Sequence, residues 1–356
     1  MRINSFWTAL LFAVVLVGIL LSQRYPTANS QQTPIAPVSA VAQRLADTAT
    51  QAFRGTVFVQ APRVNGDRLF AHLRNLSYER YTEADRDRAR TYLTQTLTNA
   101  GWKPALQSFA SGVNVVAERP GTDPNAGTIL VAAHYDTVRF SPGADDNASG
   151  TAVVLEVAQL FSNRPTSRTL QVALFDREER GLLGSRAFTE IDSQIANLKG
   201  VIVMDMVGYA CRQNNCQTFP EGLPIEPPTT QGDFLAIIAD QEHGFLLDAF
   251  RTHAPITVLD PLLKSQYQPA RLNTPGVISL ALPMRGLLTP DFLRSDHAPF
   301  WLRGVGAVMV TDTANFRTPH YHQPTDQPRT IDRPFFTGSA QIVVNATAKL
   351  LEGDGS

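Results

Sequence analysis

The stretch Thr128–Ala133 (TILVAA), followed at once by His134-Tyr135-Asp136, carries the clearest structural signal in the chain. Its six uncharged, mostly apolar residues predict a strand that is buried on both faces, as inner strands of a parallel sheet are. The strand ends at an imidazole and, two residues later, a carboxylate. In open α/β sheets, ligands bind beyond the carboxyl ends of the parallel strands. The stretch therefore predicts a buried sheet with a polar site at one edge.

Apolar patterning on both sides of this stretch predicts alternating strands and helices. Strands are expected at Asn114–Ala117, Thr128–Ala133, Thr169–Phe175, Val201–Met204 and Val305–Thr311. Helices are expected within residues 66–100 and at Ala152–Phe161, Gly184–Ile191, Ala236–Asp240 and Phe335–Leu351. This alternation predicts an α/β fold in a single domain, with a mixed, mostly parallel twisted sheet and helices on both faces. Residues 212–232 and 252–292, which are rich in proline, glycine and polar residues, are predicted to be loops over the site.

The composition suits a globular protein without a polyanionic partner. Of the 356 residues, 43% are hydrophobic and 18% are charged, so the chain can bury a large core. The 31 basic and 32 acidic residues give a net charge of −1, and the basic residues are spread along the sequence. Nucleic acid is therefore not an expected partner.

The N-terminus predicts export. Residues 6–21 form an uncharged apolar run behind Arg2, with a length between a signal-peptide core and a short membrane helix. Because no small-x-small cleavage site follows directly, residues 1–22 are interpreted as an uncleaved membrane anchor in preference to a cleaved signal. Residues 23–44 read as a flexible linker and residues 45–356 as the folded domain, outside the cytoplasm or secreted. The only cysteines, Cys211 and Cys216, are expected to form a disulfide in such a compartment.

Side chains of the metal-ligand type stand at the ends of successive predicted strands. His134 follows the first strand, Glu178 and Glu179 follow Thr169–Phe175, and Asp205 follows Val201–Met204. Each alone has a simpler explanation, such as a solvated acid in a first helical turn. Three at successive strand ends indicate a metal site. With Asp146 and His322 they make two imidazoles and four carboxylates. The two imidazoles and three of the carboxylates suit two zinc ions that share one carboxylate, and the spare acid, Glu178, suits a general base.

Six motifs in register resemble those of the M28 family of dizinc aminopeptidases, over roughly residues 65–352. They are His134-Tyr135-Asp136, Gly143–Gly150 (GADDNASG), Glu178–Ser185 (EERGLLGS), Met204–Gly208 (MDMVG), Ser295-Asp296-His297 and Tyr321–Asp326 (YHQPTD). The resemblance implies a zinc exopeptidase-like fold with two Zn²⁺.

The resemblance also assigns the ligands. It implies that one zinc is held by His134, Asp146 and Asp205, and the other by Asp146, Glu179 and His322. Asp146, and not the neighbouring Asp145, is then the bridging carboxylate, and the peptide bond after it is expected to be cis.

The resemblance implies roles for other residues as well. Asp136 would accept the free ring N–H of His134, and Glu178 would be the general base. Tyr321 resembles a tyrosine that hydrogen-bonds the oxyanion in one branch of the family, with simple packing beside the metal as the alternative. A structural or surface role is expected for one further acid and for the other five histidines, namely Asp296, His297, His320, His72, His243 and His253.

The predicted function is removal of the N-terminal residue from peptides by a bridging water that two zinc ions and Glu178 activate. A glutaminyl cyclase, which is a zinc acyltransferase on the same scaffold, is an alternative, as is a carboxypeptidase. A receptor-like domain without metal is disfavoured because no ligand or base is missing. Peptides with a free N-terminus are the expected partners, with membrane contact through the N-terminal segment if it is retained. Neither side-chain preference nor oligomeric state follows from the sequence.

Overall fold

Ten strands form one mixed sheet in the computed structural model, which describes residues 60–223, 225–252, 254–271 and 274–353. The strands are β1 Ala105–Phe109, β2 Gly112–Arg119, β3 Thr128–His134, β4 Thr169–Phe175, β5 Leu198–Met204, β6 Phe234–Asp240, β7 Thr257–Asp260, β8 Ser265–Gln268, β9 Gly276–Leu282 and β10 Ala307–Thr311. The predicted anchor at residues 1–22, the linker at 23–44 and His253 lie outside the described residues.

Seven α-helices accompany the sheet in the described part of the chain. They are α1 Gly66–Leu76, α2 Glu83–Asn99, α3 Ala148–Phe161, α4 Leu183–Thr189, α5 Asp192–Ile195, α6 Ala298–Leu302 and α7 Arg333–Glu352. Short 3₁₀ helices lie at Glu178–Arg180, Gln241–Phe250, Pro283–Gly286, Pro290–Leu293, Ala314–Phe316 and Pro328–Thr330. None of the helices in the described ranges has the length and hydropathy needed to cross a bilayer.

The strand order is β1-β2-β4-β3-β5-β10-β6-β9-β8-β7. Strand β3 runs parallel to both β4 and β5, β5 parallel to β10, and β6 parallel to β9. The other pairings are antiparallel. The predicted α/β fold with a mixed sheet is confirmed, and its parallel pairings lie towards the centre, where β4, β3, β5 and β10 end at the same edge.

Helices cover both faces of the sheet, which explains why the inner strands are apolar throughout. Ile129 and Val131 of β3 pack in a core with α1, α2, α3 and α7. Leu130 and Ala132 point the opposite way, into a core with α4 and α6. Successive side chains of a strand alternate between faces, so a strand covered on both sides needs apolar residues at every position.

Two sequence-based predictions are wrong. Ala236–Asp240 was expected to be helical but belongs to β6, whose residues are all buried between β10 and β9. A short apolar run has no period that separates a strand from a buried helix, and here the neighbouring strands decide. Residues 252–292 were expected to be loops but contain β7, β8 and β9. Strands β7 and β8 have only four residues each, too few for a recognisable alternation.

Candidate metal centre

The carboxyl ends of three neighbouring parallel strands bring the predicted metal ligands together. His134 is the last residue of β3, and Asp205 follows the end of β5. Glu178 and Glu179 open the 3₁₀ helix that follows β4. Because the three strands are adjacent in the order β4-β3-β5, their ends deliver these side chains to one place.

Two groups of possible ligands share a single carboxylate. His134, Asp146 and Asp205 offer atoms that lie within 4.8 Å of one another, and so do Asp146, Glu179 and His322. Nε2 of His134 lies 3.4 Å from Oδ1 of Asp146 and 3.7 Å from Oδ1 of Asp205. Nε2 of His322 lies 3.1 Å from Oδ2 of Asp146 and 3.1 Å from Oε2 of Glu179. The two oxygens of Asp146 thus face different imidazoles, which is the arrangement of a bridging ligand.

The loop between β3 and α3 holds Asp146 in this orientation. The peptide bond between Asp146 and Asn147 is cis, as the resemblance implies. Asn147 caps α3 by accepting a hydrogen bond from the Gly150 N–H, at 3.0 Å. Its amide nitrogen donates to the carbonyl of Met204 at 2.9 Å, at the end of β5. The start of the helix is therefore tied to the strand that carries Asp205.

Asp326, the last residue of the motif Tyr321–Asp326, also contributes to the site, a role that is absent from the sequence-based predictions. Its two carboxylate oxygens accept the backbone N–H groups of Asp145 (2.9 Å) and Asp146 (3.0 Å). The side chain is almost fully buried, and burial raises its pKa to about 6, although these two backbone hydrogen bonds oppose the shift. The segment that carries His322 and the loop that carries Asp146 are thereby joined directly.

Arg80 is a second contributor, and the sequence contains no local signal for it. Its fully buried guanidinium donates to the carbonyl oxygens of Tyr135 (2.6 Å), Pro142 (2.9 Å) and Gly143 (2.9 Å). These oxygens belong to the two chain segments that follow β3 and precede α3. Arg80 therefore stabilises the backbone of the loop between His134 and Asp146.

Asp145 does not join either ligand group. Its Oδ1 accepts the N–H of Gly208 at 2.9 Å. Burial raises the pKa of Asp145 well above its usual range, and the nearby carboxylates of Asp312 and Asp326 raise it further. Asp145 is therefore directed to Gly208 and Asp312 and is absent from both ligand groups.

Asp136 connects one imidazole to the two glutamates. Its Oδ1 lies 3.5 Å from Nδ1 of His134, the ring nitrogen that faces away from Asp146. The same carboxylate accepts the backbone N–H groups of Glu178 (3.0 Å) and Glu179 (3.3 Å). Asp136 therefore orients both His134, at the end of β3, and the turn that carries Glu178, the predicted base.

The electrostatics of the protein alone show that the donor set fits divalent cations. Burial lowers the pKa of His134, but the charge of Glu178 and hydrogen bonds to Asp136, Asp146 and Asp205 outweigh it and raise the pKa well above its usual value. Burial and the charge of Asp146 raise the pKa of Glu179 to about 7. Without cations, Glu179 therefore takes up a proton more readily than an ordinary glutamate does. Oxygen and imidazole donors of this kind suit zinc.

Glu178 is buried beside both groups without belonging to either. Its Oε2 lies 4.0 Å from Nε2 of His134. Burial raises the pKa of Glu178 well above its usual value; the charge of His134 opposes this, and the charges of Glu179 and Asp205 add to it. Such a carboxylate has a strong tendency to accept a proton.

Tyr321 lies at the rim of the same centre. Its ring stacks on the ring of His322, with centroids 3.7 Å apart. Its hydroxyl oxygen accepts a hydrogen bond from Nη2 of Arg294 at 3.1 Å. Burial and the charges of Asp146 and Asp205 raise the pKa of Tyr321, so the phenol keeps its proton.

The remaining histidines have protein partners, apart from His253, which lies outside the described residues. Nε2 of His297 donates to the carbonyl of Phe292 at 2.7 Å, and burial lowers its pKa to about 4. His72 is hydrogen-bonded to Tyr92, His320 to Thr325 and His243 to Asp240.

Asp240, Glu242 and His243 form a third group of possible ligands that the sequence analysis did not identify. Glu242 is paired with Arg285 at 2.7 Å. The group follows the end of β6, which is antiparallel to β10, so it lies at the opposite edge of the sheet from the main centre.

A cavity of about 450 Å³ opens beside the metal centre and is lined by Asp146, Glu178, Glu179, Asp205, Tyr321 and His322. Its apolar wall comes from Phe219, Leu223 and Ile225 in the loop before β6, and from β6, β9 and β10. That loop follows Cys211 and Cys216, which are joined by a disulfide. Residues 212–232 thus contribute to the cavity as a loop, as predicted, whereas residues 252–292 contribute partly through β9.

Comparisons with known proteins agree with this geometry. Residues 114–227 match the model of peptidase family M28. The chain is 30% identical to the uncharacterized protein YfbL of Escherichia coli over 276 residues, which is 72% of this chain and 77% of that protein. It is 26% identical to the aminopeptidase YwaD of Bacillus subtilis over 229 residues, 61% of this chain, and it spans only 40% of that protein.

The fold also matches a solved structure. The crystal structure of the Legionella pneumophila LapA aminopeptidase superposes with a TM-score of 0.59, at 16% identity, over 94% of this chain and 81% of that one. At this identity the match shows the shared fold alone. The family model and the 30% identity across most of a relative's length go further, and by them this chain belongs to peptidase family M28 and is a hydrolase of peptide bonds.

Proposed function

We propose that the protein is an aminopeptidase that uses two zinc ions to remove the N-terminal residue of peptides. The observation that carries this proposal is the pair of ligand groups that share Asp146. His134, Asp146 and Asp205 would hold one ion, and Asp146, Glu179 and His322 the other. When bound, zinc lowers the pKa of water and polarises a carbonyl group.

In this proposal Glu178 takes the proton from the attacking water and later delivers it to the leaving amine. Its burial and raised pKa support both steps, because a general base must hold the proton between them. Asp136 fixes the position of Glu178 through the backbone hydrogen bond at 3.0 Å.

Tyr321 would donate its hydroxyl proton to the oxyanion that develops on the scissile carbonyl. Arg294 donates to the oxygen of Tyr321, so this hydrogen bond leaves the tyrosine proton free. The free α-amino group of the substrate would be held by the acids around the metals. This contact would limit cleavage to the first residue.

The complete double ligand set also favours hydrolysis over the cyclase alternative. Three carboxylates and two imidazoles would bind two ions, and one of these carboxylates, Asp146, is common to both ligand groups. The same ligand set also suits a carboxypeptidase. The two activities are therefore distinguished by which end of a peptide is cleaved.

The direct test is hydrolysis of unblocked aminoacyl anilides by protein with a measured zinc content. We expect activity that disappears with a chelator and returns with zinc. N-acetylated anilides should resist cleavage. Rapid cleavage of N-acetyl dipeptides with a free carboxylate would instead identify a carboxypeptidase, and pyroglutamate release from N-terminal glutamine would identify a cyclase.

We also propose that residues 45–356 act as one catalytic domain outside the cytoplasm. The apolar run behind Arg2 and the disulfide between Cys211 and Cys216 support export. Cell fractionation with an antibody against the folded domain would test this. Recovery of the protein in the cytoplasmic fraction would contradict it.

A further inference from the structure

Two arginine side chains line the same cavity as the predicted zinc ligands. Arg186 comes from α4, and Arg294 follows the short helix Pro290–Leu293. Neither is a predicted metal ligand, and the proposed hydrolysis uses only the hydrogen bond from Arg294 to the hydroxyl oxygen of Tyr321. Much of the remaining wall is apolar. Positive charge in such a cavity needs an explanation, since an apolar substrate side chain gains nothing from it.

Arg294 is held close to the metal centre by its neighbours. Its Nη2 donates to the hydroxyl of Tyr321 and its Nη1 to Oδ1 of Asn315, each at 3.1 Å. The guanidinium carbon lies 5.8 Å from the centroid of the Tyr321 ring, which stacks on His322. Arg294 therefore contacts Tyr321, and Tyr321 in turn contacts His322, a predicted zinc ligand.

The guanidinium of Arg294 is only loosely compensated. Within the described residues, the one carboxylate within 4.0 Å is that of Asp291, at 3.7 Å, and both side chains are partly exposed. Arg186 is exposed and has no carboxylate within 4.0 Å in the same part of the chain. Guanidinium groups bind carboxylates through paired N–H donors and are preferred where that fork can be used.

We propose that Arg294, assisted by the charge of Arg186, binds a carboxylate group of the peptide substrate. This inference rests on the proposed aminopeptidase function and specifies its substrate class. The carboxylate has two possible sources: the C-terminus of a dipeptide or an acidic side chain. The contact of Arg294 with Tyr321, which stacks on His322, favours the C-terminus. One extended residue spans only about 3.3–3.6 Å, so the carboxylate of the leaving residue lies just beyond the scissile bond.

The experiment compares substrates that differ only in the carboxylate. Leucyl-phenylalanine and leucyl-phenylalaninamide share every apolar contact, and leucine p-nitroanilide has no carboxylate at all. Glutamate p-nitroanilide tests the side-chain source against the leucine compound. kcat/KM is measured for each with the zinc-loaded enzyme.

We expect the wild-type enzyme to prefer the free acid over the amide by ~10-fold to ~100-fold, the range for hydrogen bonds to charged groups. In Arg294→Gln this ratio should fall towards one, whatever the change in activity on leucine p-nitroanilide, because the ratio compares two substrates cleaved by the same variant. For Arg294→Lys the ratio should lie between those of the wild type and Arg294→Gln, since lysine keeps the charge but lacks the paired N–H donors of a guanidinium. Asp291→Asn should raise the ratio by removing the competing anion. Arg251→Gln, in a surface pair with Asp248, is the matched control.

The outcomes separate this proposal from the function on which it rests. A preference for glutamate p-nitroanilide that Arg294→Gln abolishes would support the same site with an acidic side chain as its source. Equal cleavage of acid and amide, or preferences that survive in the Arg186→Gln/Arg294→Gln double variant, would overturn the proposal while leaving the aminopeptidase intact. If the zinc-loaded wild-type enzyme does not hydrolyse the anilides, the proposed function itself is overturned.

Discussion

Glu178 and Glu179 are adjacent in sequence but are expected to behave differently. Glu179 belongs to a ligand group and lies 3.1 Å from Nε2 of His322, whereas Glu178 belongs to neither group. We predict that Glu178→Gln lowers kcat by ~10²-fold to ~10⁴-fold, the usual contribution of a general base, and leaves the zinc content unchanged. Steady-state kinetics and elemental analysis on the same sample check both parts.

Glu190→Gln is the matched control, because Glu190 is an exposed glutamate at the end of α4. It should retain wild-type kcat. Full activity of Glu178→Gln would disprove its role as base. Loss of one zinc equivalent from that variant would make it a ligand instead.

Asp145 and Asp146 form the second adjacent pair with different roles. Asp146 faces both imidazoles, whereas Asp145 is buried with a raised pKa beside Asp312. We predict that Asp146→Asn loses zinc and activity, because an amide is a weak bridge between two cations. Asp145→Asn alters a side chain that belongs to neither ligand group and keeps its shape, so zinc binding should persist. Zinc stoichiometry after dialysis distinguishes them, and equal loss from both would contradict the assignment.

At the scale of elements, Asp326 joins two segments that are far apart in sequence. Asp326 follows His322 in the sequence, and its carboxylate accepts the backbone N–H groups of Asp145 and Asp146. An asparagine can accept at one position only, and its NH₂ group would face an N–H donor. We predict that Asp326→Asn weakens zinc binding or activity by ~10-fold to ~100-fold, as is usual for groups that orient ligands. Zinc titration with a competing chelator measures this.

Asp123→Asn provides a control in an exposed turn, where the side chain accepts the N–H of Asn125 and no other hydrogen bond from the described residues. Wild-type affinity in both variants would show that the backbone holds Asp146 without Asp326.

The whole molecule concentrates negative charge at one edge of its sheet, so cation removal should affect stability as well as activity. Three carboxylates that are predicted ligands, together with Glu178, converge on two imidazoles. We predict that chelation lowers Tm, and that zinc restores it in a concentration-dependent way. The stabilisation expected from a ligand at 1,000 times its Kd is about 4 kcal/mol. An unchanged Tm after verified zinc removal would show that the apo site is already relaxed.

Stability of the metal-free protein should also depend on Asp296. Burial raises the pKa of this carboxyl from 3.8 to about 7, although the charge of His134 and a hydrogen bond from Ser185 oppose the shift. Because the pKa is higher in the folded state, the contribution of Asp296 to stability is complete below about pH 4 and is lost as the pH rises through about 7. We predict that Asp296→Asn removes this loss, so its free energy of unfolding declines less between pH 4 and pH 8 than that of the wild type. Urea unfolding of both metal-free proteins is the measurement, and parallel pH profiles would contradict it.

Much of the architecture could be predicted from local patterns. Strand β4 was predicted with its observed ends, and β3, α3 and α7 within a few residues, because buried runs and apolar stripes are properties of a short window. The M28 family followed from motifs that are each contiguous. Local patterns predict a helix at β6 and loops at β7 to β9, and both predictions are wrong. The state of these segments depends on pairing with strands that are distant in sequence.

The sequence by itself determined which side chains could bind metal, since ligand chemistry and strand ends are encoded residue by residue. Only the tertiary structure decided how they meet. Asp146 is placed between two imidazoles from β3 and the His322 segment, while Asp326 and the buried Arg80 hold the backbone around it. The cavity wall, with Arg294 against Tyr321, likewise combines segments from separate parts of the chain. The reason is that direction and distance between groups remote in sequence arise only when the sheet brings its strands into register.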